Sequence, residues 1–218
     1  MILVGLPTID GRRLNGEAVA YLHARGLTTI EVRSSLLAYA FNQCLVAALN
    51  RRKAGVTHFL LLHADVVPLD QDWLGAIVDV AARHAARVLS VLLPIRDDSG
   101  LTSTAIDTDP WRPRKLSMTQ MFNRPPTWTA PDLLVNSGFL LIDVRDPWIE
   151  QVHFTINDRL RYEQGRWVAD VESEDWNFSR QCRALGVDVW VTREIRARHD
   201  RWANDTPFGA PIEAEVTV

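Results

Sequence analysis

The chain has 218 residues, of which 47% are hydrophobic and 23% charged, and its formal net charge is -3. This length suits one domain with a substantial core. The charge provides no basic field, so we expect no nucleic-acid partner. No apolar run reaches the ~20 residues that a membrane-spanning helix needs, and the first residues lack the basic start of a signal peptide. We therefore expect a cytoplasmic protein with reduced cysteines.

Short apolar runs alternate with helical patterns through the first 93 residues. Strands are predicted at 2–6, at 28–32, within 58–68 and at 87–93. Helices are predicted before Gly26, from Ser35 to Gly55, and from Gln71 to about His84 behind a capping Asp70. The order β-α-β-α-β-α-β predicts an α/β fold with a mostly parallel central sheet covered by helices.

The pattern is interrupted at 94–131. This segment has no sustained period and mixes proline, charge, threonine and tryptophan. A loop of this length is uncommon unless it is functional or mobile, so we expect a mobile loop over the carboxyl edge of the sheet, with a short antiparallel excursion as an alternative. The later elements are predicted as a strand at 133–144, a short helix from Asp146-Pro147, a helix from about Glu174 to Leu185 and a strand at 187–191.

The stretch from His58 to Pro68 carries the strongest functional signal. Its apolar run ends abruptly in polar residues, which is typical of a central strand in a parallel sheet. Ligands of such sheets bind beyond the carboxyl ends of the strands. His63 and Asp65 face the same side of a strand and could together hold a divalent cation, with the imidazole favouring manganese over magnesium. A turn-capping Asp beside a hydrogen-bonded core histidine is the alternative.

Two further polar positions follow later in the chain. Glu174 and Asp175 begin a predicted helix and flank its buried stripe, at the rim of a pocket where a general base is needed. Acids in a first turn also complement the helix dipole, which is the structural alternative. His199 follows the last predicted strand and is either a further metal ligand or a bystander in the tail.

Taken in order, these features resemble the nucleotide-sugar glycosyltransferases of the GT-A fold, particularly the family 2-like branch. The resemblance spans 2–199 and rests on the acidic strand end, on Asn136-Ser137-Gly138-Phe139, on Ser173-Glu174-Asp175-Trp176 and on the late His199. It implies a single Rossmann-like domain over 1–218, with a nucleotide-binding half at 1–93 and an acceptor and catalytic half at 132–218. The family's strand-end motif is usually Asp-X-Asp, and Asp65 matches its last position while His63 replaces its first.

The resemblance also implies roles for individual residues. The implied metal ligands, for Mn²⁺ or Mg²⁺, are Asp65, His199 and His63. The implied catalytic base is Asp175, with Glu174 as the nearest substitute. The implied donor-binding residues are Pro7, Thr8, Arg33, Ala64, Asp65, Asn136, Ser137 and Gly138. The implied partners are a UDP- or GDP-sugar and a glycan or small-molecule acceptor.

Three tryptophans are candidate acceptor contacts. Sugars present apolar ring faces to aromatic side chains, so we assign Trp111, Trp128 and Trp176 to the acceptor side. The alternative is that these rings anchor the long loop on the core, where the area they bury dominates.

We interpret the sequence as that of a metal-dependent glycosyltransferase of the hexosyltransferase type, acting on an acceptor hydroxyl. A second hypothesis is a GT-A-like module that binds a nucleotide or glycan without catalysis, because His63 departs from the usual motif. A third is a sugar nucleotidyltransferase. That class needs a Gly-rich loop with Arg and Lys after the first strand, whereas 6–13 reads Leu-Pro-Thr-Ile-Asp-Gly-Arg-Arg.

Overall fold

The computed structural model describes residues 1–9, 16–200 and 202–205. The first part of the chain contains β1 (Ile2–Thr8), α1 (Gly16–Ala24), β2 (Thr28–Arg33), α2 (Leu37–Leu49), β3 (His58–Leu62), β4 (Val66–Pro68), α3 (Trp73–Arg83) and β5 (Val88–Val91). The middle contains β6 (Leu101–Ile106), β7 (Arg114–Ser117), α4 (Met118–Phe122), β8 (Thr127–Thr129), β9 (Leu133–Leu134) and β10 (Phe139–Asp143). The last part contains β11 (Asn157–Glu163), β12 (Arg166–Glu172), α5 (Glu174–Ala184), β13 (Val189–Thr192), β14 (Ala197–His199) and β15 (Trp202–Ala203).

The central sheet has seven strands in the order β2-β1-β3-β10-β5-β13-β8. Strands β1, β2 and β3 pair in parallel, as do β5 and β13, whereas β10 and β8 run antiparallel to their neighbours. The predicted α/β class with a largely parallel core is therefore confirmed. Because β10 is antiparallel and its Phe139 pairs with Leu62, the residues before it lie at the carboxyl end of β3.

Strand β3 is buried on both faces, as its apolar run predicts. Phe59 and Leu61 belong to the hydrophobic cluster that includes α2, whereas Leu60 and Leu62 belong to the cluster that includes α3. Alternate side chains of a strand point to opposite faces, so helices on both sides of the sheet hold this strand in place. The residues directly after β3 therefore emerge at a fixed point on the sheet edge.

Asp70 does not cap a helix, contrary to the prediction. Helix α3 begins at Trp73, and the Asp70 carboxylate instead accepts hydrogen bonds from the backbone N–H and the Nε of Arg196, at 2.7 and 2.8 Å. This pair ties the chain after β4 to the segment that enters β14. It therefore helps to bring the tail towards β3.

The segment 94–131 is not the irregular loop that the sequence predicts. Strands β7, β6 and β9 form a small antiparallel sheet in that order, and β8 pairs with β13 at the edge of the central sheet. Helix α4 has a capping box in which Ser117 and Gln120 exchange side-chain to backbone hydrogen bonds. These elements have two to six residues, which is too short for a clear hydrophobic period.

The sequence analysis assigns no element between 152 and 173, yet β11 and β12 form a two-stranded antiparallel hairpin there.

Within the described ranges, no helix has the length and apolar character that crossing a membrane requires.

Candidate active site at the carboxyl edge of the sheet

Backbone pairing brings the tail of the chain next to the residues that follow β3. Strand β14 runs antiparallel to β4, with His199 opposite Val66, and the Asp200 N–H donates to the Asp65 carbonyl at 2.9 Å. As a result, Nε2 of His199 lies 3.5 Å from Oδ2 of Asp65. Two of the three side chains that are predicted as metal ligands, Asp65 and His199, are thus neighbours in space.

The hydrogen bonding of His199 shows which ring nitrogen carries a proton. Its Nδ1 lies 2.9 Å from the carbonyl oxygen of Pro94. A carbonyl can only accept a hydrogen bond, so Nδ1 carries a proton. Nε2 is the nitrogen that faces Asp65, so it can donate to that carboxylate when it carries a proton or offer its lone pair to a cation when it does not. Backbone support of this kind is typical of histidines that bind metals.

Asp65 is surrounded by positive or polarisable groups. Arg96 donates from Nη1 to its Oδ2 at 2.8 Å, and His199 approaches the same oxygen. Burial alone would raise the pKa of Asp65, but the hydrogen bond and charge of His199, with the charges of His63 and Arg96, lower that pKa below its ordinary value. Asp65 is therefore a carboxylate throughout the physiological range.

His63 is held at this edge by a backbone hydrogen bond and an aromatic contact. Its backbone N–H donates to the Gly138 carbonyl at 2.9 Å, and its ring centroid lies 4.8 Å from that of Phe41. Burial lowers the pKa of His63 to about 4, so the ring is neutral at pH 7. Its Nε2 is buried and has no hydrogen-bond partner among the described residues. A buried nitrogen in this state is available to a ligand.

These groups open onto a cleft of about 520 Å³, a size typical of small-molecule sites. Its walls come from the ends of β1 and β3, the start of α2, the segment after β5 and the end of β14. The lining residues are Pro7, Thr8, Ile9, Ser34, Leu37, Ala40, His63, Ala64, Asp65, Arg96 and His199. The cleft therefore includes all three predicted metal ligands and the predicted donor residues Pro7, Thr8 and Ala64.

The Asn136–Gly138 turn stands behind His63 rather than in the cleft lining. Asn136 donates to the Val91 carbonyl at 3.0 Å and accepts from the Gly138 N–H at 3.1 Å, so its side chain is engaged within the protein. A Cβ on Gly138 would lie 2.8 Å from Cδ1 of Leu93 and 3.6 Å from Nδ1 of His63. The turn, with its buried Ser137, shapes the wall that positions His63, and the structure does not bring it to the cleft surface as a donor contact.

Arg33 also lies outside the lining of the cleft. Its exposed side chain pairs with Glu31 of the same strand at 2.7 Å, and the following Ser34 contributes to the cleft instead. Side chains alternate along β2, so a one-residue error in register moves the predicted contact to the other side. The structure therefore does not bring Arg33 to the predicted donor site.

Glu174 and Asp175 form a second, partly buried acidic centre at the start of α5. Burial, followed by the charge of Asp175, raises the pKa of Glu174 above its ordinary value. Burial also raises the pKa of Asp175, despite hydrogen bonds from the Ser173 hydroxyl and the Trp176 N–H. Neither acid lines the cleft described above. A carboxyl group with a raised pKa is suited to proton transfer near neutral pH.

The acidic centre connects to the cleft through a short series of contacts. Nε1 of Trp176 donates to the Ser103 carbonyl at 3.3 Å, and the Ser103 N–H donates to the Leu93 carbonyl at 3.3 Å. Leu93 packs against Gly138, whose carbonyl binds His63. The two groups of polar residues are therefore separate but linked by packed residues.

The three tryptophans differ in their surroundings. Trp128 is only 7% exposed and belongs to the main core, which favours the anchoring interpretation over an acceptor contact. Trp111 is half-buried under the Arg159 guanidinium, at 4.3 Å from the ring centroid. Trp176 is half-buried beside the acidic centre, with the Lys115 ammonium 5.8 Å from its ring centroid. Of the three, only Trp176 adjoins the acidic centre in sequence.

Two of the predicted metal ligands have the right chemistry and position for a divalent cation. A carboxylate oxygen and an imidazole nitrogen are ligands that Mn²⁺ accepts, and the unpaired Nε2 of His63 lies at the same edge. In the part of the chain that the structure describes, no group of three or more His, Cys, Asp or Glu side chains is arranged to hold a metal. Asp65 and His199 supply two protein ligands, so a cation bound there would take its remaining ligands from a bound anion and water.

Comparisons with known proteins address the fold. No protein-family model and no curated protein matches the sequence. Among solved structures, A197 from STIV is similar, with 16% identity and a TM-score of 0.61 over 97% of this chain and 92% of that chain. A glycosyltransferase involved in the glycosylation of the major capsid of PBCV-1 gives 12% identity and a TM-score of 0.36, over 66% and 60% of the two chains.

An apo-UDP-glucose pyrophosphorylase gives 9% identity and a TM-score of 0.44, over 91% of this chain and 76% of that chain. Structural similarity at TM-scores of 0.36 and 0.44 gives no information about the activity of this protein. The likeness to A197 extends over nearly the whole of both chains at low identity. The protein thus shares its fold with A197.

Proposed function

We propose that this protein is a metal-dependent glycosyltransferase that moves a sugar from a UDP- or GDP-sugar to a hydroxyl group of a glycan or small molecule. The observation that carries the proposal is the convergence of Asp65 and His199 on a cleft at the carboxyl ends of β1 and β3. Clefts at this edge are where open α/β sheets bind nucleotides. A leaving diphosphate needs positive charge at such a point.

Each group has a defined part in the proposed reaction. Asp65 and His199 would hold the cation, which supplies Lewis-acid stabilisation of the leaving diphosphate. Arg96, within hydrogen-bond distance of Asp65, adds a second positive charge at the cleft. Asp175 would accept the proton of the acceptor hydroxyl, because its raised pKa brings it closer to the pH at which it works.

We expect one nucleoside diphosphate to raise the melting temperature only when manganese or magnesium is present. At a concentration of 100 times Kd, the shift for a chain of this size should be about 5–10 °C. The measurement is differential scanning fluorimetry with UDP, GDP, ADP, CDP and dTDP, each with Mn²⁺, with Mg²⁺ and with EDTA.

The same panel contains its own control. The matching nucleoside lacks the diphosphate and should give a much smaller, metal-independent shift. An absence of any shift across all nucleotides with either metal would contradict the proposal. Donor binding without any product by mass spectrometry across many acceptors would instead support a non-catalytic binding module.

We expect Arg96→Gln to tighten the binding of Mn²⁺ by about 3–10-fold, because the guanidinium competes for the Asp65 carboxylate and repels a second cation. The same variant should bind the nucleoside diphosphate more weakly, since it loses a positive charge at the cleft. Titration calorimetry with Mn²⁺ alone, followed by the nucleotide in excess Mn²⁺, measures both effects.

Arg25→Gln is the matched control, because Arg25 forms a comparable exposed pair with Asp72 at 3.0 Å and does not line the cleft. It should leave both affinities unchanged. An Arg96→Gln protein with unaltered Mn²⁺ affinity would indicate that Asp65 does not bind the cation.

A further inference from the structure

The hairpin formed by β11 and β12 carries an apolar face that is open to solvent. Four large side chains on this face are strongly exposed: Leu160 by 76%, Tyr162 by 63%, Trp167 by 72% and Val171 by 51%. The strand register places Leu160 opposite Ala169 and Tyr162 opposite Trp167, whose ring centroids are 5.4 Å apart. We call the six outward residues the outer face: Asp158, Leu160, Tyr162, Trp167, Ala169 and Val171.

The opposite face of the hairpin is held against the domain by charged groups. Asp170 accepts hydrogen bonds from Arg159 at 3.1 Å and from Arg112 at 3.2 Å, and it also pairs with Arg161. Glu172 pairs with Arg180 of α5. Because these ion pairs fix which side of the hairpin faces the protein, the outer face remains directed at solvent.

This arrangement is the reverse of the usual amphipathic pattern. In a half-buried hairpin the apolar face packs on the core and the charged face meets water. A two-stranded hairpin is also marginally stable by itself, so burial of its apolar face would contribute to its order. The largest contiguous apolar surface of a soluble protein, about 300–600 Å² on a typical monomer, is often functional.

The chemistry of the outer face points to protein rather than to sugar or lipid. Its only charged residue is Asp158, and its only hydrogen-bonding side chains besides are Tyr162 and Trp167. A sugar needs several polar partners, which this surface does not offer. An anionic membrane surface would favour lysine or arginine on the face, and the one charge there is negative.

We propose that the outer face is the contact surface of a two-fold symmetric dimer of this chain. When two outer faces pack against each other, no rows of like charges meet, because each face carries a single charged residue, Asp158. Asp158 lies at the base of the hairpin, so an antiparallel two-fold arrangement places the two Asp158 residues at opposite ends of the contact, where they do not face each other. The apolar centre of each outer face then covers that of the other copy.

The area of the outer face is sufficient for a weak to moderate dimer. From the exposed fractions above and ordinary side-chain areas, each copy offers roughly 500 Å², so a dimer would bury about 1,000 Å² in total. That value is at the lower end of specific interfaces, and adjoining residues of the hairpin would add to it. Tyr162 and Trp167 are the residue types that dominate the energy of such contacts.

The test is sedimentation equilibrium and light scattering of the full chain from 1 to 100 μM. Wild type should be dimeric at the upper concentrations. Leu160→Lys and Trp167→Glu should each weaken the dimer by at least about 30-fold. Tyr39→Lys is the matched control, because Tyr39 is 54% exposed on α2, outside the hairpin, and its replacement should leave the dimer intact.

A second measurement keeps the test decisive if a variant does not fold. Hydrogen exchange of the wild type at 1 and 50 μM should show protection of 157–172 that increases with concentration. A wild type that is monomeric throughout would overturn the inference, as would variants that remain dimeric. Binding of a monomeric wild type to anionic vesicles or to a glycan array would overturn it as well.

Discussion

Asp65→Asn should reduce the release of nucleoside diphosphate from the donor by at least about 100-fold, which corresponds to the several kcal/mol that a metal contributes. Asparagine retains the size of aspartate and can still accept a hydrogen bond from Arg96. It lacks the negative charge that a divalent cation requires. The backbone carbonyl that binds Asp200 is unaffected, so the pairing of β4 with β14 should persist. Chromatographic quantification of the released diphosphate in the presence of Mn²⁺ measures the loss.

The control for this variant is Asp143→Asn. Asp143 also pairs with an arginine, Arg145, but it lies opposite His58 at the other end of β3. Its replacement should leave turnover within about twofold of wild type. If Asp65→Asn retained full turnover while folding normally, the assignment of the metal site would be wrong. A loss of the metal-dependent thermal shift in Asp65→Asn, but not in Asp143→Asn, would support it independently.

The central part of the fold could be predicted because its signals are local. The run that ends at His63 is apolar on both faces, and this pattern indicates a strand that is covered by helices on both sides of the sheet. Gly26 adopts a left-handed conformation after α1, at φ 64°, as the predicted helix end implies. The second helix ends earlier than predicted, at Leu49, and Gly55, at φ 93°, follows a separate 3₁₀ turn at Arg52–Ala54. The position of His63 and Asp65 at the sheet edge followed from the strand alone. The position of His199 beside them did not, and it was expected only from the family resemblance.

Other parts of the site depend on tertiary packing and left no local signal. Arg96 reaches Asp65 across 31 residues of sequence, from a segment whose short strands gave no period. By contrast, the hairpin β11–β12 has a local signal that was not used, because Leu160 and Tyr162 alternate with charged residues before a turn at Gly165, which is typical of a strand. Arg33 and Ser34 are neighbours in the sequence, but only Ser34 lines the cleft. Which of two adjacent side chains faces a site depends on the register of the strand, which the sequence alone does not define.

Asp175→Asn should lower kcat at pH 7.5 by about 10²–10⁴-fold, the contribution typical of a positioned general base. In the wild type, the ionised form is the active one, so kcat should rise with pH. Because burial raises the pKa of Asp175, kcat should increase at a pH above about 4, the ordinary pKa of an aspartate carboxyl group. The charge of Asp175 helps to raise the pKa of Glu174 to about 7, so Glu174 is still protonated when Asp175 ionises and Glu174→Gln should leave the pH of the rise nearly unchanged. Profiles of kcat against pH for the three proteins test this.

The same acids predict an effect on stability with a defined sign. A carboxyl group whose pKa is raised by folding destabilises the protein above its unfolded pKa, and this cost grows until the pH passes the folded pKa. Glu174→Gln should therefore increase the free energy of unfolding by roughly 1–3 kcal/mol at pH 8 and leave it unchanged at pH 4. Urea denaturation at the two pH values measures the difference.

Glu172→Gln is the matched control because its shift has the opposite sign. Burial alone would raise the pKa of Glu172, but hydrogen bonds from Asn157, Asn177 and Arg180 lower it below its ordinary value. Its ionised form therefore stabilises the fold above the unfolded pKa, and this contribution is lost as the pH falls. Glu172→Gln should destabilise the protein at pH 8, with a smaller effect at pH 4. If Glu174→Gln also destabilised it at pH 8, the carboxyl group of Glu174 would be satisfied by partners in its charged form, and the acidic centre could not retain a proton near neutral pH.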